Sequence, residues 1–391
     1  MSDHFNFDRV IDRKGGDSVK WNRYAGRDVL PMWIADMDFA APPAVVEALR
    51  SRIEHGVFGY ADAWPSLIEA TLGHLEQQYG WRIQAEWLVW LPGLVSGLNV
   101  ACRAVDGDVF TATPIYPPFM SAPRFSGCGL NTASLQQERE SGRWGWDWPA
   151  AEAAITPATR LFLLCHPHNP VGRAWDDAEL AAVAEFCKRH DLLVCSDEIH
   201  CDLILEPGRR HRPLAMLDEE IARRSITLMA PSKSFNVPGL GCAFAVIPDA
   251  GLRRRFTRAM AGIVPHVNVL GLAACEAALR DSGDWHAALI EILRRNRDRV
   301  EVAVAAMPGL SMAPVEATYL AWIDARGLSG RAEFGAGTPG QFFESHGVGL
   351  SDGADFGAPG WLRLNFACGL PTLDEALKRM QRALAALNAA G

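Results

Sequence analysis

Short runs of apolar residues recur between about residues 85 and 250, and they alternate with stretches of helical spacing. Each run is apolar on both faces and is bounded by turn residues. That pattern is typical of a buried strand in a mostly parallel sheet. The runs are Val109–Ala112, Leu161–Cys165, Leu192–Ser196, Ile226–Ala230 and Cys242–Ile247.

One stretch between two of these runs has a clear helical pattern. Asp177–His190 places apolar residues at helical spacing, with acidic residues early and Lys188, Arg189 and His190 at its end. This distribution of charge matches the helix dipole. Strand, helix and strand repeated in this way predict an α/β fold.

The two ends of the chain have a different pattern and predict a smaller α+β unit joined by an N-terminal arm. We expect the arm and part of the small domain at residues 1–45, a large α/β domain at 46–285 and a small α+β domain at 286–391. The Gly-rich stretch Gly327–Gly340 predicts a loop. The C-terminal elements expected are a helix at Ala287–Met307, strands at Tyr319–Ile323 and Leu362–Phe366, and a final helix at Leu373–Leu387.

Composition narrows the class of protein. Hydrophobic residues make up 49% of the chain and charged residues 21%, which excludes disordered and fibrous classes. A net charge of −8 gives no electrostatic reason to expect nucleic acid as a partner. No apolar stretch is long enough to span a membrane, and the N-terminus lacks the apolar core of a signal peptide. Nine cysteines without zinc-ligand spacing predict reduced thiols in a cytoplasmic protein.

Polar or aromatic side chains follow four of the predicted strands. In open α/β sheets, ligands bind beyond the carboxyl ends of the strands, so these groups are expected to meet in one crevice. The segments concerned are Thr113–Tyr116, His166–Gly172, Asp197–His200 and Pro231–Asn236.

Lysine is scarce, and one lysine has an unusual position. Lys14 and Lys20 lie in the polar arm, whereas Lys188 and Lys378 lie on the charged sides of helices. Only Lys233 follows a buried strand, so we expect it to be the one lysine in a low-dielectric crevice. There its pKa falls, and the neutral amine becomes a nucleophile able to form a Schiff base. An aldehyde cofactor, pyridoxal phosphate, is the expected partner.

The residues at the other strand ends match the needs of the ring of that cofactor. Its nitrogen requires a buried carboxylate, which Asp197 supplies while the adjacent Glu198 points away. Asn169, with His200, is placed to bind the 3-oxygen. Tyr116 is placed to cover the face of the ring.

The phosphate of the cofactor needs backbone N–H groups at the start of a helix. Pro92–Leu98 opens a predicted helix with glycines that let the backbone approach an anion. The hydroxyl of Ser232 is placed to complete this cradle.

These motifs resemble those of fold-type I pyridoxal phosphate enzymes of the class I/II aminotransferase superfamily. Within it, the chain is most similar to the cystathionine β-lyase branch typified by MalY and PatB. The resemblance covers essentially the whole chain. It rests on the segments KWNRY, LPMWIADMDF, HGVFGY, TPIYPPF, HPHNPVG, SDEIHCDL, PSKSFNVPGLG and WLRLNFACG.

The resemblance implies the roles of single residues around the cofactor. Lys233 would carry the Schiff base, Asp197 would pair with the ring nitrogen, and Asn169 with the 3-oxygen. Tyr116 would stack on the ring. The phosphate would be held by Gly93, Leu94 and Ser232, and by Tyr60 of the neighbouring subunit in a homodimer with shared sites.

The resemblance also implies a substrate site. Arg363 would bind the α-carboxylate, for which a guanidinium has the right shape. Ala35 and Asp36 would line the entrance. The alternative for Arg363 is a structural ion pair, as is common for arginine on a strand.

The activity implied is cleavage of L-cystathionine or related S-substituted cysteines to a thiol, pyruvate and ammonia. Two departures from many aminotransferases favour this lyase. His200 stands where they have a tyrosine, and Gly241 stands where they have a phosphate-binding arginine. A class I/II aminotransferase is the alternative. A third possibility, an additional regulatory role through protein contact, has no identifiable surface in the sequence.

Two groups of residues are expected to be structural. His166, His168 and His200 are compatible with a metal site, but the motifs around them already explain their positions, and no metal is expected. Trp144, Trp146 and Trp148 are expected to pack on one face of an edge strand or to anchor a loop.

Overall fold

A computed structural model describes residues 5–138, 140–328 and 337–389 of the chain. Its helices are α1 Val19–Asn22, α2 Pro43–His55, α3 Pro65–Tyr79, α4 Leu94–Arg103, α5 Pro118–Ser126, α6 Trp148–Ala154, α7 Asp177–Arg189, α8 Glu219–Arg224, α9 Pro231–Ser234, α10 Ala250–Met260, α11 Val269–Asp281, α12 Gly283–Ala305, α13 Pro339–Ser345 and α14 Leu370–Ala389. Its strands are β1 Leu30–Pro31, β2 Leu88–Leu91, β3 Asp108–Thr113, β4 Leu130–Ser134, β5 Gln136–Gln137, β6 Trp144–Gly145, β7 Thr159–Cys165, β8 Leu193–Asp197, β9 Ser225–Met229, β10 Ala243–Val246, β11 Ser311–Met312, β12 Leu320–Asp324, β13 Val348–Gly349, β14 Ser351–Asp352 and β15 Trp361–Asn365.

Seven strands form the central sheet in the order β2-β10-β9-β8-β7-β3-β4. Neighbours from β9 to β4 run parallel, whereas β10 is antiparallel to both β2 and β9. All five apolar runs predicted as strands are strands, with ends that differ by no more than two residues. The expected mostly parallel α/β sheet is therefore confirmed.

Helices cover both faces of this sheet because its strands are apolar on both sides. Val109 and Leu161 face a core that includes residues of α4 and α10. Their neighbours Phe110 and Phe162 face a second core that α7 helps to build. The predicted helix α7 begins with a capping box in which Asp176 and Glu179 satisfy each other's backbone N–H groups.

The C-terminal part contains a second, antiparallel sheet with the order β11-β12-β15-β14. The long helices α12 and α14 pack with it in one apolar core. The N-terminal arm joins this part through β1, which pairs with β13. Further along the arm, Met32 accepts a backbone hydrogen bond of 2.8 Å from Asn365 of β15, and the Met37 carbonyl accepts one of 3.1 Å from the side chain of Asn236, which follows α9. The domain boundaries expected at residues 45 and 285 stay a prediction.

Within the predicted loop Gly327–Gly340, residues 329–336 lie outside the described residues. On either side, Leu328 ends a short 3₁₀ helix and Pro339 begins α13. Across residues 5–138, 140–328 and 337–389, no helix combines the length and the apolar character needed to cross a membrane.

Candidate active site

The carboxyl ends of the parallel strands open onto a cavity of about 320 Å³. The register of β7, β8 and β9 sets Cys165 opposite Asp197 and Asp197 opposite Leu228, so the loops that follow them start side by side. Ten of the twelve predicted site residues line this cavity. They are Ala35, Gly93, Leu94, Tyr116, Asn169, Asp197, His200, Ser232, Lys233 and Arg363.

Lys233 lies on the short helix α9, directly after β9. Its ammonium group donates a hydrogen bond of 2.6 Å to the backbone oxygen of Ala35. Burial lowers the pKa of Lys233 to about 8, against the opposing effect of Asp36. About a tenth of the amine is therefore neutral at pH 7, far more than for an ordinary lysine, and the neutral form is the nucleophile.

Lys233 is half-buried, and it is not the one lysine that is shielded from water, so the sequence-based expectation on this point was wrong. Lys20 in the arm is only 1% exposed. Its ammonium group lies 2.8 Å from Asp38 Oδ2 and 3.8 Å from Asp36 Oδ1. Two carboxylates thus compensate for the loss of water around Lys20, whereas the one hydrogen bond of Lys233 within the described residues is to a carbonyl oxygen. What distinguishes Lys233 is the nature of its partner rather than its burial.

Asp197 ends β8 and is almost completely buried. Desolvation raises its pKa to about 7, and the nearby Glu198 adds to this effect. Among the described residues, only the backbone N–H of Ile199, at 3.2 Å, donates to its carboxylate. A buried carboxylate with so few donors is suited to receive a cationic N–H group.

Glu198 points away from the cavity, as expected. Its carboxylate accepts hydrogen bonds from Ser196 Oγ at 2.8 Å and from the Leu214 backbone at 3.1 Å, and it pairs with His211 Nε2 at 2.6 Å. Asp197 and Glu198 thus lie in different environments although they are adjacent in the chain.

Arg363 lies in the middle of β15 and is 5% exposed. One terminal nitrogen donates to Asn169 Oδ1 at 3.1 Å and the other to the Trp33 carbonyl at 2.8 Å, while the guanidinium lies over the Phe356 ring. Burial lowers its pKa to about 10, and its Nε has no hydrogen-bond partner among the residues that the structure describes. Within the described part of the chain, no carboxylate lies within ion-pair distance of Arg363. The geometry thus favours a ligand-binding arginine over the structural ion pair.

His200 and Tyr116 also line the cavity. His200 is buried, and desolvation lowers its pKa to about 3, so the imidazole is neutral. Its Nδ1 has no hydrogen-bond partner in the described ranges of the chain. The backbone N–H of Tyr116 donates to the Asn169 carbonyl at 3.1 Å, which ties two of the strand-end loops together.

A helix begins at one end of the cavity, as the sequence predicts. The N-cap of α4 is Gly93, which has no side chain to cap the helix. The first backbone hydrogen bond of the helix runs from the N–H of Gly97 to the carbonyl of Gly93. The N–H groups of Leu94, Val95 and Ser96 are therefore available for an anion. A Cβ atom at Gly93 would meet no other atom within 4 Å, so the space beside it is open.

Two predicted residues lie outside the cavity lining. Asp36 flanks it and pairs with Arg13 at 2.7 Å. Tyr60 lies between α2 and α3 and is fully exposed in a single chain. The structure therefore does not bring Tyr60 to the cavity of its own chain.

One neighbour of the cavity was missed by sequence reasoning. Tyr319 is completely buried, and its hydroxyl donates to the Ala35 carbonyl at 2.9 Å. Its ring lies nearly perpendicular to that of His200, with 6.0 Å between the ring centres. The segment TYLAWID has the pattern of an ordinary apolar strand, so the tyrosine near its start is the only sequence signal for a polar group here.

The histidines and tryptophans singled out in the sequence have structural contacts. His166 stacks on His211 at 4.3 Å, and His168 Nε2 hydrogen-bonds to the Pro114 carbonyl at 2.9 Å. Among the described residues, no group of side chains has the arrangement of a metal site. Trp144 and Trp146 are buried in the core beside α7.

Comparison with known proteins agrees with this geometry. A sequence model of the family described as aminotransferase class I and II matches residues 27–380. The chain belongs to this family. It is 35% identical to cystathionine β-lyase PatB of Bacillus subtilis, over 97% of this chain and 100% of PatB.

Two solved structures of the same fold are also similar to this aminotransferase-family chain. The crystal structure of OvoB has a TM-score of 0.93 and 49% identity, and the match covers 97% of this chain and 99% of that one. Cystalysin of Treponema denticola, whose structure contains pyridoxal 5′-phosphate, has a TM-score of 0.91 and 30% identity over 98% of this chain and 99% of cystalysin. The likeness therefore extends over nearly the whole chain.

Proposed function

We propose that the protein is a pyridoxal phosphate-dependent carbon–sulfur β-lyase that cleaves L-cystathionine or related S-substituted cysteines to a thiol, pyruvate and ammonia. One observation carries the proposal. Among the described residues, a single cavity holds a half-buried lysine whose amine has a lowered pKa, Lys233, a buried carboxylate of raised pKa, Asp197, and a buried arginine with no carboxylate partner, Arg363. The similarity to PatB supports the same activity.

The residues of the cavity fit pyridoxal phosphate. Lys233 would bind its aldehyde carbon, and Asp197 would accept a hydrogen bond from its protonated ring nitrogen. The unpaired N–H groups at the start of α4, beside the open space at Gly93, would bind its phosphate together with Ser232. When bound, the cofactor supplies an electron sink for negative charge that develops at the substrate Cα.

Around the ring, Asn169 and His200 are placed to bind the 3-oxygen. The amide oxygen of Asn169 is occupied by Arg363, so its NH₂ group is left to donate. His200 is neutral and its Nδ1 is without a partner, so it can donate or accept without adding charge. Tyr116 would cover one face of the ring.

Arg363 would bind the substrate α-carboxylate. A buried guanidinium without a counter-ion is costly, and an incoming carboxylate removes that cost while forming two parallel hydrogen bonds. Because Arg363 is held by Asn169 and by the Trp33 carbonyl, it is oriented before the substrate arrives. The neighbouring Ala35 and Asp36 would line the substrate entrance.

Lys233 would act as the general base. Its pKa of about 8 lets the freed amine take the proton from the substrate Cα near neutral pH. The Cα–H electron pair then forms the Cα–Cβ double bond, and the Cβ–S bond breaks with its electrons leaving on sulfur. Water hydrolyses the resulting 2-aminoacrylate to pyruvate and ammonia.

We also propose a homodimer in which Tyr60 completes the phosphate site of the neighbouring subunit. In a single chain Tyr60 is fully exposed, and Val57 and Phe58 beside it are 61% and 56% exposed. A short segment with three exposed apolar or aromatic side chains is suited to an interface. A cytoplasmic location is supported by nine cysteines that form no disulfide.

The test is to incubate purified holoenzyme with L-cystathionine and to assay pyruvate with and without an added 2-keto acid. A β-lyase releases pyruvate and homocysteine at the same rate in both cases. An aminotransferase releases neither without the keto acid and converts the keto acid to an amino acid. That second outcome would replace the proposal with its alternative.

A further inference from the structure

The carbonyl group of Ala35 accepts two hydrogen bonds, from side chains on two different parts of the chain. Lys233 Nζ donates to it at 2.6 Å and Tyr319 Oη donates to it at 2.9 Å. Both lone pairs of this oxygen are therefore used. Ala35 lies in an irregular part of the arm, outside any helix or strand, so no backbone ladder holds it.

The carbonyls around Ala35 are held by side chains of the second sheet. Asn365 Nδ2 donates to the Ile34 and Asp36 carbonyls, and Arg363 and Ser351 donate to that of Trp33. For the Ala35 carbonyl, the donors are Tyr319 and Lys233 alone among the described residues. Under the proposed function, Lys233 binds the cofactor for part of each cycle, and Tyr319 is then the remaining donor.

Tyr319 is itself fixed in place. The residue before it, Thr318, has a φ of +74°, a left-handed conformation that is rare for a β-branched residue. Backbone bonds hold this turn on both sides, from Thr318 N to Leu203 O at 2.9 Å and from Phe366 N to Tyr319 O at 3.0 Å. Strain of this kind persists where the surrounding structure imposes it, and it is often found at functional sites.

We propose that Tyr319 is a positioning residue for Lys233, acting through the Ala35 carbonyl. Its hydroxyl keeps that carbonyl in one place while the lysine is bound to the cofactor. When the substrate amine releases Lys233, the amine then returns to a defined position from which it acts as the base. This role rests on the proposed function, although its structural part concerns only residues of this chain.

The test compares Tyr319→Phe with the wild type and with Tyr24→Phe. Tyr24 is also buried, but its hydroxyl donates to Glu344 at 3.4 Å, away from the cavity. For Tyr319→Phe we expect kcat to fall about fivefold to tenfold, the effect of one hydrogen bond, with KM changed less than about threefold. Tyr24→Phe should leave both unchanged. A rise in KM alone, or loss of the cofactor, would contradict the proposal.

A second measurement does not depend on activity. In the cofactor-free full-length chain, Lys233 is methylated with formaldehyde and a hydride donor across a range of pH, and its peptide is quantified by mass spectrometry. The charged groups facing Lys233 are Asp36, Asp197 and Arg363, and the neutral His200 lies beside it. All are retained in Tyr319→Phe, so a shift reports the lost hydroxyl. The carbonyl becomes a stronger acceptor for the ammonium form, and the pKa of Lys233 should rise by about half a unit.

The outcomes separate the two proposals. If the wild type releases no pyruvate but Tyr319→Phe still shifts the pKa of Lys233, the function fails and the positioning contact stands. An unshifted pKa in Tyr319→Phe overturns the contact. If Tyr319→Phe does not fold, 3-fluorotyrosine at this position keeps the O–H group and makes it a stronger donor. The pKa of Lys233 should then fall, and no change would count against the proposal.

Discussion

The guanidinium of Arg363 donates to the amide oxygen of Asn169 across 3.1 Å, which joins a strand of the antiparallel sheet to a loop of the parallel sheet. This bond has two effects. It holds the guanidinium of Arg363, which lines the cavity, and it occupies the amide oxygen of Asn169, so that the NH₂ group would be left to donate to the cofactor. The proposed substrate and cofactor sites would therefore be linked by one hydrogen bond.

Replacing Arg363 should separate substrate binding from cofactor binding. We expect Arg363→Ala to raise KM by about tenfold to hundredfold, the loss of charge-assisted hydrogen bonds of roughly 1.5–3 kcal/mol. The absorbance of the bound cofactor should be unchanged. Arg82→Ala, which removes an arginine that is 84% exposed, is the control and should have wild-type kinetics. An unchanged KM in Arg363→Ala would show that the carboxylate binds elsewhere.

Replacing Asp197 should separate chemistry from binding. Asp197→Asn removes the negative charge beside the ring nitrogen and conserves the size of the side chain. We expect the variant to bind the cofactor and to lose β-elimination by about a hundredfold or more, as is usual for a charge that stabilises a transition state. Steady-state pyruvate release with bound cofactor measured by absorbance checks this. Release at the wild-type rate would mean that another group serves the ring nitrogen.

The pKa of Lys233 predicts how cofactor uptake depends on pH. The neutral amine attacks the aldehyde, and below its pKa of about 8 the neutral fraction falls about tenfold per pH unit. The association rate of pyridoxal phosphate with the cofactor-free protein should therefore rise from pH 6 to 8 and level off above. Stopped-flow absorbance measures it. A flat profile over this range would show that the amine is already neutral at pH 6.

Complementation tests the shared site. Lys233→Ala lacks the base, whereas Tyr60→Ala lacks the proposed phosphate contact to the neighbouring subunit. If sites are shared in a two-fold dimer, each mixed dimer contains one intact site, and mixing equal amounts should restore about a quarter of wild-type activity. Subunit exchange is verified with a tagged chain. Exchange without any recovery would place Tyr60 outside the partner's site.

Stability offers a test of the fold that is independent of activity. Glu316 is buried and binds Arg173 at 2.9 Å and Arg143 at 2.6 Å. Glu316→Ala leaves the buried Arg173 with only part of its counter-charge, so we expect a loss of about 3–5 kcal/mol in the free energy of unfolding. Glu76→Ala breaks the exposed pair with Arg82 and should cost less than about 1 kcal/mol. Denaturant unfolding compares the two, and equal losses would contradict the account.

The sequence allowed the central sheet and most of the site to be predicted because both depend on local patterns. A buried parallel strand is an uninterrupted apolar run, and the residue that follows it lies at the carboxyl edge. Asp197 could therefore be located from its position at the end of β8, and Lys233 and Asn169 from their positions after β9 and β7. No long-range contact had to be known.

The features that the sequence did not reveal depend on contacts between distant parts of the chain. Lys20 looked like an exposed lysine of a polar arm, and only the folded arm brings Asp38 to it. Tyr319 acts on Ala35, which is 284 positions away, through a bond that no periodicity marks. The role proposed for Tyr60 depends on contact with a second chain, and local sequence patterns do not predict contacts between subunits.

The most direct test of carbon–sulfur β-elimination is the stoichiometry of products from one substrate. Holoenzyme is supplied with L-cystathionine and no keto acid, and homocysteine, pyruvate and ammonia are quantified together over many turnovers, with Lys233→Ala as the control. The account predicts the three products in equal amounts and none from the control. Turnover that stops after one equivalent per site, or amino groups recovered in a new amino acid instead of ammonia, would contradict it.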